Sequence, residues 1–244
     1  MNERATFRNN EEFRQGIQLW FKDKSGCIQL YGHISDWNTE NVTDMSGAFQ
    51  PRINCNEDMS RALQKQKTFN EDISRWNTSN VTNMSGMFSG AESFNQRLQN
   101  WNTSKVTHMY RMFSGAKEFN QPIDKWDTGK VVDMSLMFYG AASFNQPIDK
   151  WDTSNVETMS GMFCKAKRFN KDISRWNTSK GVNMSMMFSD APTFNQPIGV
   201  WDTSNVKDMS WMFSKADSFD QPLQNWNTSN VVSMNGMFQD TPLI

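Results

Sequence analysis

FNQPIDKWDTSNVETMSGMFCKAKR, residues 144–168, decides the fold, because the chain repeats it in slightly altered form every 25 residues. Trp76, Trp101, Trp126, Trp151, Trp176, Trp201 and Trp226 keep that spacing, and so do Phe69, Phe94, Phe119, Phe144, Phe169, Phe194 and Phe219. A third apolar column runs Ile73, Leu98, Ile123, Ile148, Ile173, Ile198, Leu223. After each Trp come a Val, a Met, a Met-Phe pair and an Ala, as in Val81, Met84, Met87, Phe88 and Ala91, with Gly181 standing where Val is expected. Trp37 starts the series early, 39 residues before Trp76, which implies an insertion between Phe49 and Phe69. Self-similarity at a fixed period signals a repeat architecture.

One such unit cannot fold alone. Each large buried side chain contributes about 1.5–3 kcal/mol. Ordering the backbone costs about 1–2 kcal/mol per residue, and the unit has too few apolar columns to offset that. Neighbouring coils must therefore cover both faces of each coil, which is the logic of a solenoid. The β-branched stretch Val81–Met84 predicts a strand pairing in parallel with Val106–Met109, and so on through the stack. Ser85–Ala91 reads as a tight helical turn with Met and Phe inward, and the Asp/Asn-Thr-Ser run after each Trp as turn chemistry. Pro122, Pro147, Pro197 and Pro222 mark a bend outside any ladder. The expected fold class is an α/β repeat solenoid: a leucine-rich-repeat-like stack of about eight coils with a short parallel β-sheet and an N-terminal helical cap.

At the N-terminus, Asn9 as N-cap and Glu12 three residues on predict an amphipathic helix over Asn10–Lys22, with Phe13, Ile17, Trp20 and Phe21 on one face. Residues 1–26 are read as this cap and 27–244 as the solenoid, with Leu30 and Ile34 already in the apolar columns. The insertion, residues 50–68, holds a candidate short helix over Asn56–Lys67 with Met59 and Leu63 inward. At the other end, either Thr241–Ile244 folds over the last coil or another chain packs there, a second copy included.

Of the 244 residues, 25 are basic and 26 acidic, leaving a net charge of −1 and no electrostatic reason to expect a nucleic-acid partner. Cys27, Cys55 and Cys164 form neither a disulfide framework nor a metal motif. The polar N-terminus lacks a secretory signal, which by default implies an intracellular protein, and no apolar run is long enough to insert in a membrane.

The columns V-x-x-M-x-x-M-F and above all W-[DN]-T-S-N-V-x-x-M-S-x-M-F, from about Leu30 to Phe238, resemble the BspA-like leucine-rich-repeat proteins in their mycoplasma-type lipoprotein form. The resemblance implies adhesion or recognition, a surface location, and no catalytic residue.

Recurrence argues against most tempting sites. The Met-x-x-Met pairs recur beside Phe and read as core rather than soft-metal ligands. Asp127, Asp152 and Asp202 alternate with Asn in one column, as turn formers can and catalytic carboxylates cannot. His33 and His108 have no sequence partner for acid–base work, and no catalytic, metal or cofactor site is expected. The Thr column from Thr78 to Thr228 is a regular hydroxyl row but sits in turns. The repeat breaks its rule at one position, Gly in Gly86 and Gly161 but Arg111, Leu136, Met186 and Trp211 elsewhere, with Tyr110 and Tyr139 nearby. Variable large residues in one column face outward and form the candidate partner-binding surface. The expected function is a non-enzymatic protein-interaction or assembly scaffold, with a carbohydrate- or surface-binding adhesin as the alternative.

Overall fold

The computed structural model describes residues 6–50 and 64–242. Asn9 caps α1 (Asn10–Lys22) by accepting the Glu12 N–H at 2.9 Å. Asp23 then ends α1 and caps α2 (Lys24–Tyr31), accepting the Gly26 N–H at 3.0 Å. The 26/27 boundary therefore falls inside a helix, Leu30 is 64% exposed on it, and the repeat columns begin at Ile34. Of the helix expected over Asn56–Lys67, residues 64–67 are helical, and the rest, with Cys55, Met59 and Leu63, lies outside the described residues.

From Ile34 onward the apolar columns close into one continuous core. Val81, Met84, Met87, Phe88, Ala91, Phe94 and Leu98 and nearly all their counterparts in the inner coils are fully buried. Within a coil the two phenyl rings stack, as Phe88 on Phe94 at 4.0 Å, and each ring stacks on its counterpart in the next coil, as Phe113 on Phe138 at 5.7 Å. The indoles do the same, Trp126 lying 6.5 Å from Trp151 with their planes 2° apart. Identical rings offset by one coil are a favourable aromatic geometry, which is why these columns tolerate so little change. Gly181, in the Val column, is filled by its own coil. A Cβ there would lie 2.9 Å from the Met184 methyl, which occupies the space, while Val182 faces out.

The sheet is not there. Among the described residues no strand forms, so the chain is not an α/β solenoid with a parallel β-sheet. Coils touch through isolated parallel bridges of one residue each, Asn83 to His108, His108 to Asp133, and onward to Ser233. The reason lies in the side chains around Val81–Met84. Val81 turns its N–H back to Thr78 at 3.0 Å, and the Asn83 carboxamide captures the Ser85 N–H at 2.9 Å, so the chain is extended only around Asn83. Ser85–Ala91 is not a helical turn either: Gly86 has φ +61° and Gly90 φ +76°, left-handed positions that fold the segment into successive tight turns.

Those turns still pair most of their backbone N–H groups, by division of labour. Met84, Gly86, Phe88 and Gly90 donate their N–H groups forward, to the carbonyls of His108, Tyr110, Met112 and Ser114 in the next coil. Met87, Ser89 and Ala91 donate backward within the coil, to Met84, Gly86 and Phe88. The same alternation recurs along the stack, as in Met209, Trp211, Phe213 and Lys215, which donate to Ser233, Asn235, Met237 and Gln239. A buried backbone group must be paired. Here an edge of turns does what a ladder of strands was expected to do.

Candidate interaction surface

The column that breaks the repeat is the first of the two left-handed positions. Gly47, Gly86, Gly161 and Gly236 have φ near +60° there, and so do Arg111 (φ 55°), Leu136 (φ 56°), Met186 (φ 54°) and Trp211 (φ 60°). A side chain with φ > 0 crowds its own backbone and costs about 1 kcal/mol. Glycine removes the crowding, so four coils carry strain that four others avoid.

All four of these side chains leave the core. Arg111 is exposed, Met186 and Trp211 are each 41% exposed, and Leu136 is half-buried because it leans on its neighbour. A Cβ on Gly161 would lie 2.6 Å from a Leu136 methyl, and one on Gly236 would lie 2.7 Å from the Trp211 ring. Leu136 and Trp211 are thus each laid over the glycine of the following coil. The glycines at 161 and 236 serve both the turn and this close approach. Tyr110 stands beside the row with the Arg111 guanidinium 5.7 Å from its ring. Tyr139 is in a different column, half-buried, with the Lys165 ammonium 5.4 Å from its ring. Met186 and Trp211 occupy adjacent coils, as do Arg111 and Leu136, so the six residues form one interrupted stripe rather than a single cluster.

The second left-handed position changes along the stack. Gly90, Gly115 and Gly140 give way to Lys165, Asp190, Lys215 and Asp240, all with φ between 55° and 61°. The recurrence of glycine at 90, 115 and 140 was the only sequence sign of it. The Asn-Gln pair of the F-N-Q-P motif has a role the sequence did not disclose. Each Asn side-chain oxygen accepts the backbone N–H of the Asn one coil on, as from Asn145 to Asn120 at 2.9 Å and from Asn170 to Asn145 at 3.0 Å. In several coils the following Gln adds a second donor to that oxygen, as Gln146 does to Asn120 at 3.0 Å.

The other polar columns are structural. From Thr78 to Thr203 the threonines are buried and their hydroxyls donate to the next coil, Thr153 to the Asn177 carbonyl at 2.9 Å, so they are not a surface row. Asp127, Asp152 and Asp202 accept the N–H two residues on, as their Asn counterparts do. Hydrogen bonds from the Ser154 and Ser204 side chains and backbone hold the Asp152 and Asp202 carboxyls below their ordinary range. His33 bonds the Ser35 hydroxyl at 2.8 Å and stands 3.6 Å from Glu71, while His108 bonds the Thr107 hydroxyl at 2.8 Å. Burial pushes the Cys27 thiol up to about 11, so it stays protonated at neutral pH. Among the described residues no helix is long and apolar enough to cross a membrane.

No curated protein matches the chain. No solved structure matches it either. The family model described as "Mycoplasma protein of unknown function, DUF285" matches it in tandem over residues 4–61, 57–157 and 142–243, and the chain belongs to that family of repeat proteins.

Proposed function

We propose that the chain is a non-enzymatic protein-interaction scaffold whose partner reads the stripe of Tyr110, Arg111, Leu136, Tyr139, Met186 and Trp211. The observation that carries this reading is the strain. Arg111, Leu136, Met186 and Trp211 hold left-handed backbone at a position that glycine fills in four other coils, and their large side chains leave the core, Leu136 half-buried and the other three exposed. Packing within the coil gains little from them, and the turn would be easier without them. A repeat scaffold with a regular core and a variable outward column suits recognition of an extended protein surface. Aromatic and Arg side chains are the residues that anchor such contacts.

The test replaces Arg111, Leu136, Met186 and Trp211 together by glycine, the residue the backbone prefers. Relief of strain and the greater freedom of glycine in the unfolded chain oppose each other at about 0.4–1 kcal/mol per site, so the urea midpoint should move little. Proteins retained on the immobilised native chain should be lost from the variant. Equal retention on both, or a large drop in the variant's stability, would overturn the reading.

A further inference from the structure

The core repeats in every coil, but the outer surface repeats in every third. At the first left-handed position glycine recurs at Gly86, Gly161 and Gly236, with a pair of large residues in between: Arg111 and Leu136, then Met186 and Trp211. In both pairs the second residue, Leu136 or Trp211, lies against the glycine of the next coil. Other outward columns keep the same count. Lys105 reaches back to the Asn80 side-chain oxygen at 2.7 Å, and three coils on Lys180 reaches back to Asn155 at 2.6 Å. The Ser135 hydroxyl bonds that of Thr158 at 2.8 Å, and three coils on Ser210 bonds Ser233 at 2.6 Å. In the bridging column the aspartates are Asp44, Asp133 and Asp208, again every third coil. Core packing does not require this, because the buried columns are nearly the same in each coil. The surface is therefore built from a three-coil unit, present as residues 94–168 and again from Phe169 onward.

Each unit presents one station on the stripe. Arg111 and Leu136 form the first, and Met186 and Trp211 form the second, with the bulky apolar residue last in both. Bridged chains lie about 4.8 Å apart, so Leu136 and Trp211, three coils apart, are separated by about 14 Å along the stack. The backbone of the stripe has nothing left to offer a partner. The N–H groups of Arg111, Leu136, Met186 and Trp211 go to the carbonyls of Ser135, Ser160, Ser210 and Asn235. Their own carbonyls accept from Ser114, Tyr139, Ser189 and Ser214. What docks here must bring its backbone bonds already made, as an α-helix does and an extended segment does not. Three turns of helix rise about 16 Å, and residues eleven apart return to the same side of it.

Given that the stripe is the binding surface, as proposed above, we infer that its two stations are read together by one amphipathic α-helix of a partner protein. The helix lies along the stack with apolar side chains eleven residues apart, one on Leu136 and one on Trp211. Charge sets its direction. The Arg111 guanidinium stands at one end of the stripe, while Met186 and Trp211 at the other end are neutral. The helix C-terminus, with its partial negative charge, therefore lies toward Arg111. Neither station suffices alone, because each offers one apolar anchor and the distance between the two selects the partner.

The test keeps every residue of the stripe and changes only the distance between the stations. Repeating residues 144–168 once, directly after Arg168, adds one coil, preserves every column and still sets a glycine beside Leu136 and beside Trp211. The probes are helical peptides about five turns long, selected on the native chain from a displayed library randomised along one face. Selected sequences should carry apolar residues eleven apart. Titration should find them about ten-fold or more weaker on the lengthened chain than on the native one. They should lose as much on full-length chains carrying Leu136→Gly or Trp211→Gly alone. A library that yields no binder, binders with a single apolar anchor, or a better yield from extended peptides would overturn the helical partner. Equal binding to the native and lengthened chains would overturn the joint reading of the stations and leave the stripe standing, since that variant keeps the stripe whole. The fourfold glycine replacement tests the stripe itself. Should the lengthened chain fail to fold, residues 69–93 inserted at the same place also carry a glycine, Gly86, and make a second spacer read the same way. The two single glycine variants need no spacer, and a peptide indifferent to either one overturns the proposal too.

Discussion

Ser154 gives its N–H to Asp152 at 3.0 Å, and Ser79 gives its own to Asn77 at 3.1 Å, so at neutral pH the two turns are interchangeable. Acid separates them. Hydrogen bonds hold the folded carboxyls of Asp152, Asp202, Asp72 and Asp172 below the ordinary value, while unfolding returns them to it. A depressed folded pKa contributes stability that is present above about pH 4 and is lost as pH falls through the folded value. The variant with Asp152→Asn and Asp202→Asn should therefore match the native urea midpoint at pH 7. Its midpoint should fall less than the native one between about pH 4 and pH 2. An identical acid profile would show that these turns do not sense charge. The alternation of Asp and Asn in one column made the turn role legible in the sequence. The left-handed backbone at Arg111, Leu136, Met186 and Trp211 was not, because bulky residues give no sign of positive φ and only their glycine counterparts hint at it.

Within one coil, the segment that reads as a strand and the segment that holds coils together are different. Val81–Met84 has the β-branched look of a strand, yet local side-chain bonds from Asn83 and the turn at Thr78 end its extension after one bridging residue. Propensity describes a residue's fit to a pleated surface, and a carboxamide two residues from an N–H can override it. The Asn of F-N-Q-P carries coil-to-coil bonding that looked like mere consensus. Asn145→Ala would remove the acceptor of the Asn170 N–H while sparing the apolar columns. The expected cost is about 0.5–1.5 kcal/mol, the net worth of one hydrogen bond whose exposed donor can turn to water, read as a lower urea midpoint. An unchanged midpoint would mean that water replaces the amide without loss. At the N-terminus the pattern was more open: Asn9 and Glu12 mark the start of α1 in the sequence and in the structure. The second helix was hidden, because Leu30 and Cys27 fell near the repeat columns and drew Lys24–Tyr31 into the first coil.

At the scale of the whole chain, the period of 25 was plain from the tryptophans alone. What the period could not say is how neighbouring coils bond, since a ladder of strands and an edge of turns impose the same spacing on the core. Because each coil contacts only its neighbours, removing one complete unit should leave the rest in register. Deletion of residues 119–143 joins Glu118 to Phe144 and restores every column. That variant should fold with native-like near-ultraviolet dichroism and a smaller dependence on urea, in proportion to the surface lost. Deletion of residues 119–142 should not fold past the junction, because it shifts the Phe and Trp columns by one residue. Equal tolerance of both deletions would contradict a registered stack.

The forward-pointing N–H groups along the turn edge have an electrical consequence. In a β-sheet neighbouring peptide dipoles largely cancel, whereas in a helix they align and leave partial charges at the ends. Along this edge Met84, Gly86, Phe88 and Gly90 point forward together, while the N–H groups of Thr107, Val132 and Glu157 beside it point back to the carbonyls of Thr82, Thr107 and Val132. The molecule is nearly neutral in sum, and along its edge the partial charges of the forward set are answered by those of the backward set, as in a sheet rather than a helix.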